Sequence, residues 1–224
     1  MTRIADNIGR LIEALPPGVT MVAVTKTRPP EEVLDAYNAG LRVFGENRVQ
    51  ELTAKRTLLP GDISWHLIGH LQSNKVRQAV AGASMIESVD TLRLLRMIDA
   101  EALAQGKAVD CLLQIQIASE ETKSGFTVGE ATGTDWSGIA ASLKAVRLCG
   151  VMGMATFTDD MDKVRSEFRM LASVFSRLRE AHFSKSSHFR EISMGMSGDW
   201  QIAVEEGSTM IRVGTLIFGE RIKK

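Results

Sequence analysis

Charge of one sign is what this sequence most plainly lacks. Its 224 residues carry 27 Lys+Arg against 27 Asp+Glu, a formal net charge of zero. A neutral chain without a block of like charges does not carry the electrostatic footprint of a nucleic-acid or anionic-membrane binder. The basic end Arg221-Ile222-Lys223-Lys224 reads as a solvated terminus. No apolar run approaches a membrane span, and Met1-Thr2-Arg3-Ile4-Ala5-Asp6 has no secretory h-region. Cysteine is scarce: Cys111 and Cys149 each sit in an apolar run without metal-ligand spacing. They are expected to be buried, reduced and structural, in a cytoplasmic protein. Several motifs are missing too. No Gly-x-Gly-x-x-Gly follows the first β-rich run, Gly106-Lys107 is followed by Ala108 and so is no P-loop, and His66 and His70 lack the His-Glu-x-x-His pattern. Tyrosine occurs once, at position 37.

What is present is regular alternation. Hydrophobic residues make up 44% of the chain and charged residues 24%, the profile of a globular protein long enough to bury a core. A leading helix over 2–15 places Ile4, Ile8, Leu11, Ile12 and Leu15 on one face. β-rich runs are then expected at 19–25, 41–45, 63–68, 85–89, 111–117, 147–152, 189–193 and 209–213. Helical stretches separate them, with Asp90 and Ser197 as expected N-caps, and 119–134 reads as the longest loop. Strand-helix alternation implies parallel pairing with helical crossovers. Eight such units predict a (β/α)8 TIM-type barrel with an extra N-terminal helix, one domain over 1–224. An open doubly wound sheet is the alternative.

Barrel chemistry gathers at the C-terminal strand ends. Strand 1 ends in Thr25-Lys26-Thr27, where strand phase puts Lys26 with Val22 and Val24. A partly desolvated lysine there would be a free amine able to attack a carbonyl; the alternative is a lysine that snorkels to solvent. Arg212 alternates with Ile211 and Val213, so it shares the inner side with Met210 and Gly214. It reads either as a ligand contact or as half of an internal ion pair with Glu87 or Glu191. Ser193-Met194-Gly195-Met196-Ser197 and Gly214-Thr215 are small-residue turns suited to cradling phosphate, the usual use of the loops after strands 7 and 8; plain turn chemistry is the alternative. Gln114, Gln116, His66 and Ser193 are expected to form an internal polar network. Met152, Met154, Met194 and Met196 lie near the mouth.

These features form one constellation. It resembles the pyridoxal 5′-phosphate (PLP) homeostasis protein family, whose fold is similar to the N-terminal barrel domain of alanine racemase. The resemblance is carried in order along the chain. It begins with Val22-Ala23-Val24-Thr25-Lys26-Thr27 and Phe44-Gly45-Glu46-Asn47-Arg48-Val49-Gln50-Glu51. Trp65-His66-Leu67-Ile68-Gly69-His70-Leu71-Gln72-Ser73-Asn74-Lys75 and Lys123-Ser124-Gly125-Phe126 follow. Ser193 to Ser197, Gly207 to Thr215 and Phe218-Gly219-Glu220-Arg221 complete it. The resemblance implies that Lys26 holds the cofactor as a Schiff base and that Arg212 faces the pyridine nitrogen. It implies that Ser193, Gly214 and Thr215 hold the phosphate, with Met194 and Gly195 close by, and that Asn47 lies near the ring. Two segments depart from the family pattern. Gly153-Met154-Ala155-Thr156-Phe157-Thr158 lacks the proline usual after strand 6, and 126–136 is atypical.

Three functions are compatible with a lysine and a phosphate cradle. The resemblance implies a PLP-binding protein that buffers or delivers the cofactor, with apo PLP-dependent enzymes as recipients and no robust turnover. A PLP-dependent racemase would need an acid/base on each face of the substrate carbon. Alanine racemase draws its opposite-face tyrosine from a second domain, whereas Tyr37 is expected on a helix remote from the mouth. An arginine opposite the ring nitrogen also weakens the electron sink that many PLP enzymes strengthen with an acid. A Schiff-base aldolase would explain the lysine and the phosphate site but not Arg212. The expectation is a monomeric PLP carrier.

Overall fold

The computed structural model describes residues 2–119 and 124–220; the basic end 221–224 and Lys123 lie outside them. Eight parallel strands close into a barrel in chain order, β1 pairing with both β2 and β8. They are β1 Thr20–Val24, β2 Val43–Glu46, β3 Ser64–Leu67, β4 Met85–Val89, β5 Val109–Gln114, β6 Val146–Met152, β7 Glu191–Ser193 and β8 Met210–Val213. The helices are α1 Arg3–Ala14, α2 Pro30–Asn38, α3 Val49–Leu58, α4 Val76–Gly82, α5 Leu92–Ala104, α6 Val128–Gly133, α7 Trp136–Ser142, α8 Met161–His182, α9 Trp200–Glu205 and α10 Thr215–Phe218. The expected (β/α)8 barrel with its extra leading helix is the observed architecture.

The outer core lies between strands and helices. Ala23, Phe44, Trp65, Ile86, Leu113, Val151, Ile192 and Ile211 point away from the barrel axis into it, one side of the period-2 alternation. Helix α8 supplies Val164, Phe168, Leu171, Val174, Phe175 and Leu178 at helical spacing. Helix α1 seats Ile4, Ile8 and Leu11 against the barrel and ties its Asn7 amide to the Ile217 carbonyl at 2.9 Å. Ile12, expected on that face, is half exposed.

Four local expectations are corrected. Thr91, not Asp90, caps α5, its hydroxyl accepting from Leu94 N–H. Asp90 turns instead to His70 Nδ1 at 3.0 Å. Ser197 does not cap α9, which begins only at Trp200 behind Asp199. The helix expected from Glu46 begins at Val49, because Glu46 completes β2. The stretch read as one loop contains α6, opened by a capping box in which Thr127 and Glu130 satisfy each other's backbone N–H groups.

A bulge interrupts β6. Cys111 pairs with Leu148 but Leu112 with Gly150, so Cys149 is an extra residue on β6. Gly150 has φ +152°, and a Cβ there would sit 1.8 Å from the Glu191 carbonyl oxygen. No side chain fits between β6 and β7 at that point. Gly150→Ala is therefore expected to cost about 3 kcal/mol or more in denaturant unfolding, in the class of strained overpacking; a cost below about 1 kcal/mol would contradict this close approach.

Candidate functional site

A cavity of about 750 Å³ opens at the C-terminal mouth of the barrel, within the size range of small-molecule sites. Its depth is set by what fills the barrel. Val22, Met85, Leu112, Cys149, Met152 and Met210 form an inner apolar plug. Two residues further along β4 and β8 come Glu87 and Arg212, both buried, and with them a polar layer.

Glu87 is the hub of that layer. Its Oε1 lies 2.7 Å from His66 Nδ1. Its Oε2 accepts from Ser193 Oγ at 2.6 Å and lies 3.9 Å from Arg212 Nη1. Arg212 Nη1 donates to Ser193 Oγ at 2.6 Å, and Nη2 donates to the Gly153 carbonyl at 2.9 Å. Burial opposes the ionisation of Glu87. The bond and charge of His66, the Arg212 charge and the Ser193 hydroxyl outweigh it and hold the carboxyl below the usual carboxylate range. Burial also draws Arg212 down from its ordinary value, against the pull of Glu87 and Asp199. A guanidinium starts so high that it stays charged. Of the two partners open for Arg212, the structure selects Glu87; Glu191 accepts from Thr209 Oγ1 instead.

The expected site residues divide. Lys26, Asn47, Arg212, Gly214 and Thr215 share the cavity wall. Ser193, Met194 and Gly195 are not part of it. The Ser193 hydroxyl is spent between Arg212 and Glu87. Met194 is fully buried in the outer core. Gly195 turns the chain at φ +92°, where a Cβ would lie 2.5 Å from that of Ala203. That turn brings Met196, Ser197 and Gly198 to the wall instead. Ser197 Oγ accepts from Gly214 N–H at 3.3 Å, joining the loops after β7 and β8. Of the four mouth methionines, Met154 and Met196 line the cavity and Met152 and Met194 are core. Gln114 donates to the Ser124 carbonyl at 2.6 Å, while His66 and Ser193 join the Glu87 layer.

Other residues around the mouth were not singled out by sequence. Arg28 ties the β1–α2 turn to the last helix, donating to the carbonyls of Phe218 and Gly219 and lying over the Phe218 ring. Glu167, buried on α8, accepts from the backbone N–H and hydroxyl of Thr156 at 2.6 and 2.7 Å. It staples the loop after β6, on which Phe157 stands fully in solvent. Tyr37 bonds Asp62 at 2.8 Å and is no part of the cavity.

Comparison with known proteins first gives the class. Residues 1–222 match the family described as "Alanine racemase, N-terminal domain". The fold is shared with alanine racemase from E.faecalis at TM-score 0.75 and 16% identity, covering 98% of this chain and 58% of that one. Closer in sequence is the pyridoxal phosphate homeostasis protein of Aquifex aeolicus, 34% identical over 99% of this chain and 96% of the relative. That of Synechocystis is 39% identical over 95% and 96%. PipY of Synechococcus elongatus, solved without and with PLP bound, superposes at TM-scores of 0.90 and 0.87. In both it has 36% identity, covering 96% of this chain and 100% of PipY. The chain belongs to the pyridoxal phosphate homeostasis protein family.

The Glu87 layer yields a pH-dependent prediction. Its folded pKa lies below that of the unfolded chain, so the unfolded state binds more protons between the two values. The stability Glu87 supplies is complete above about pH 4.3 and is lost as pH falls through the folded value. Glu87→Gln leaves Arg212 without its counter-charge and is expected to cost about 3 kcal/mol at pH 7. Urea unfolding at several pH values should show the gap from wild type narrowing in acid; a gap independent of pH would contradict the assignment.

Proposed function

We propose that this protein binds PLP in the barrel-mouth cavity, with Lys26 bonded to it as a Schiff base, and that it buffers and delivers the cofactor. The observation that carries the reading is the convergence of a lysine, a clamped arginine and a small-residue cradle on one cavity. The donor set suits the molecule. Ser197, Gly214 and Thr215 supply hydroxyl and backbone groups on two loops with little side-chain bulk, as a phosphate monoester requires. Arg212 supplies a fixed cation at the floor that cannot give up its proton to a ring nitrogen. Bound PLP supplies an aldehyde that bonds amines reversibly.

The chain's own groups then have separate tasks. Lys26 provides the amine, and exchange with an incoming amine returns the cofactor. Arg212, held by Ser193 and Gly153, donates toward the ring nitrogen and leaves it unprotonated. Asn47 borders the ring, and the turns after β7 and β8 set the phosphate end. Recipients of the delivered cofactor would be apo PLP-dependent enzymes. The free, buried thiols of Cys111 and Cys149 suit a reducing compartment, the cytoplasm. Racemase chemistry is disfavoured: Tyr37 is outside the cavity, and a fixed arginine opposite the ring nitrogen weakens the electron sink.

Wild type titrated with PLP is expected to gain a near-visible absorbance band, and borohydride should fix one adduct at Lys26. Lys26→Ala should lose both. Adducts scattered over surface lysines, or no band, would overturn the reading.

A further inference from the structure

Lys26 sits at the corner of a tight turn. Thr25 and Arg28 close it with a backbone hydrogen bond of 2.9 Å, leaving Lys26 and Thr27 as the two central residues. Thr27 has φ 65°, and no other described non-glycine residue has positive φ. Positive φ at the second central position is the signature of a type II turn, where glycine or asparagine is the usual choice. A β-branched residue there is strained, and such strain persists only where the surroundings over-determine it.

Helix α3 does that. Glu51 and Lys55 are four apart, so they share one face. Glu51 Oε2 accepts from Thr27 N–H at 2.8 Å. Lys55 Nζ donates to the Thr25 carbonyl at 2.7 Å. The two bonds grip the peptide groups on either side of Lys26. Lys55 is itself buried and anchored on Glu46 Oε1 at 2.5 Å, an oxygen that also accepts from Thr25 Oγ1 at 2.6 Å. Burial pushes the Glu46 carboxyl up from its ordinary value, against the pull of Lys55 and Thr25.

We propose that Glu51 and Lys55, seated on Glu46, are positioning residues for Lys26: they clamp the Thr25–Arg28 turn and so hold the lysine amine toward the cavity. The inference rests on the proposed PLP function and deepens it. Relaxing the clamp lets the turn leave its strained form, and the apparent affinity for PLP falls by the fraction of chains that still present Lys26.

The test uses Glu51 and Thr27, because removing Lys55 or Glu46 leaves a buried charge unpaired and endangers folding. Glu51→Ala should raise the PLP concentration for half-maximal Lys26 adduct about tenfold or more, the effect of one lost hydrogen bond to a charged acceptor. Glu51→Gln keeps an acceptor and should behave as wild type. Thr27→Gly adopts positive φ without strain, so adding it to Glu51→Ala should restore capture. Apo melting temperature and amide exchange at Thr27 are read alongside, exchange rising in Glu51→Ala. A merely structural Glu51 would lower the melting temperature without rescue of capture by Thr27→Gly, and that result overturns the clamp. So does Glu51→Ala capturing PLP as wild type does. A wild type with no Lys26 adduct overturns the PLP reading itself, a different failure.

Discussion

A guanidinium buried near the axis of a barrel must be answered by charge and by hydrogen bonds, or the fold cannot carry it. Here the answer involves four strands. Arg212 comes from β8, its bridging hydroxyl Ser193 from β7, the carbonyl of Gly153 from the end of β6, and the carboxylate of Glu87 from β4. His66 on β3 completes the far side of Glu87. The network lies beyond the apolar plug and beneath the cavity, so the arginine is held before any ligand arrives. Its preorganisation gives the cavity a floor of fixed charge and fixed direction.

The mouth residues are then arranged around that floor. Gly195 turns the loop after β7 so that Ser197, not Ser193, reaches the wall and meets Gly214. The clamp on Thr25 and Thr27 sets the opposite side. On the proposed reading, one end of PLP meets the turns, the ring nitrogen meets Arg212, and Lys26 bonds the aldehyde. A fixed arginine in place of an acid favours holding the cofactor over using it as an electron sink. Family membership and the PLP-bound PipY support the same reading.

Much of this was legible in the sequence because barrels obey simple periods. β-rich runs separated by helical stretches identified every strand, and two-residue phase put Arg212 and Lys26 on the cavity side. Boundaries were harder to read. Asp90 and Ser197 are good N-cap types, yet Thr91 takes the cap and Ser197 a loop contact, since tertiary partners compete for such side chains. Ser193 was read with Gly214 and Thr215 as a group for the mouth, but its hydroxyl is engaged by Arg212 and Glu87, a contact between distant strands that the sequence pattern does not show. Glu51 and Lys55 carried a signal in their four-residue spacing, but only the fold shows that their face meets the end of β1. Glu167 carried no signal, because its partner lies on a loop of irregular pattern.

On the proposed reading, the Glu87–Ser193–Arg212 network is built beforehand to receive a ring nitrogen. The most direct measurement is a crystal structure with PLP bound. Arg212 is expected against the pyridine nitrogen, still bonded to Ser193 and the Gly153 carbonyl, with the phosphate between Ser197 and Gly214-Thr215. A phosphate seated on Arg212, or an Arg212 swung away from Glu87, would contradict it.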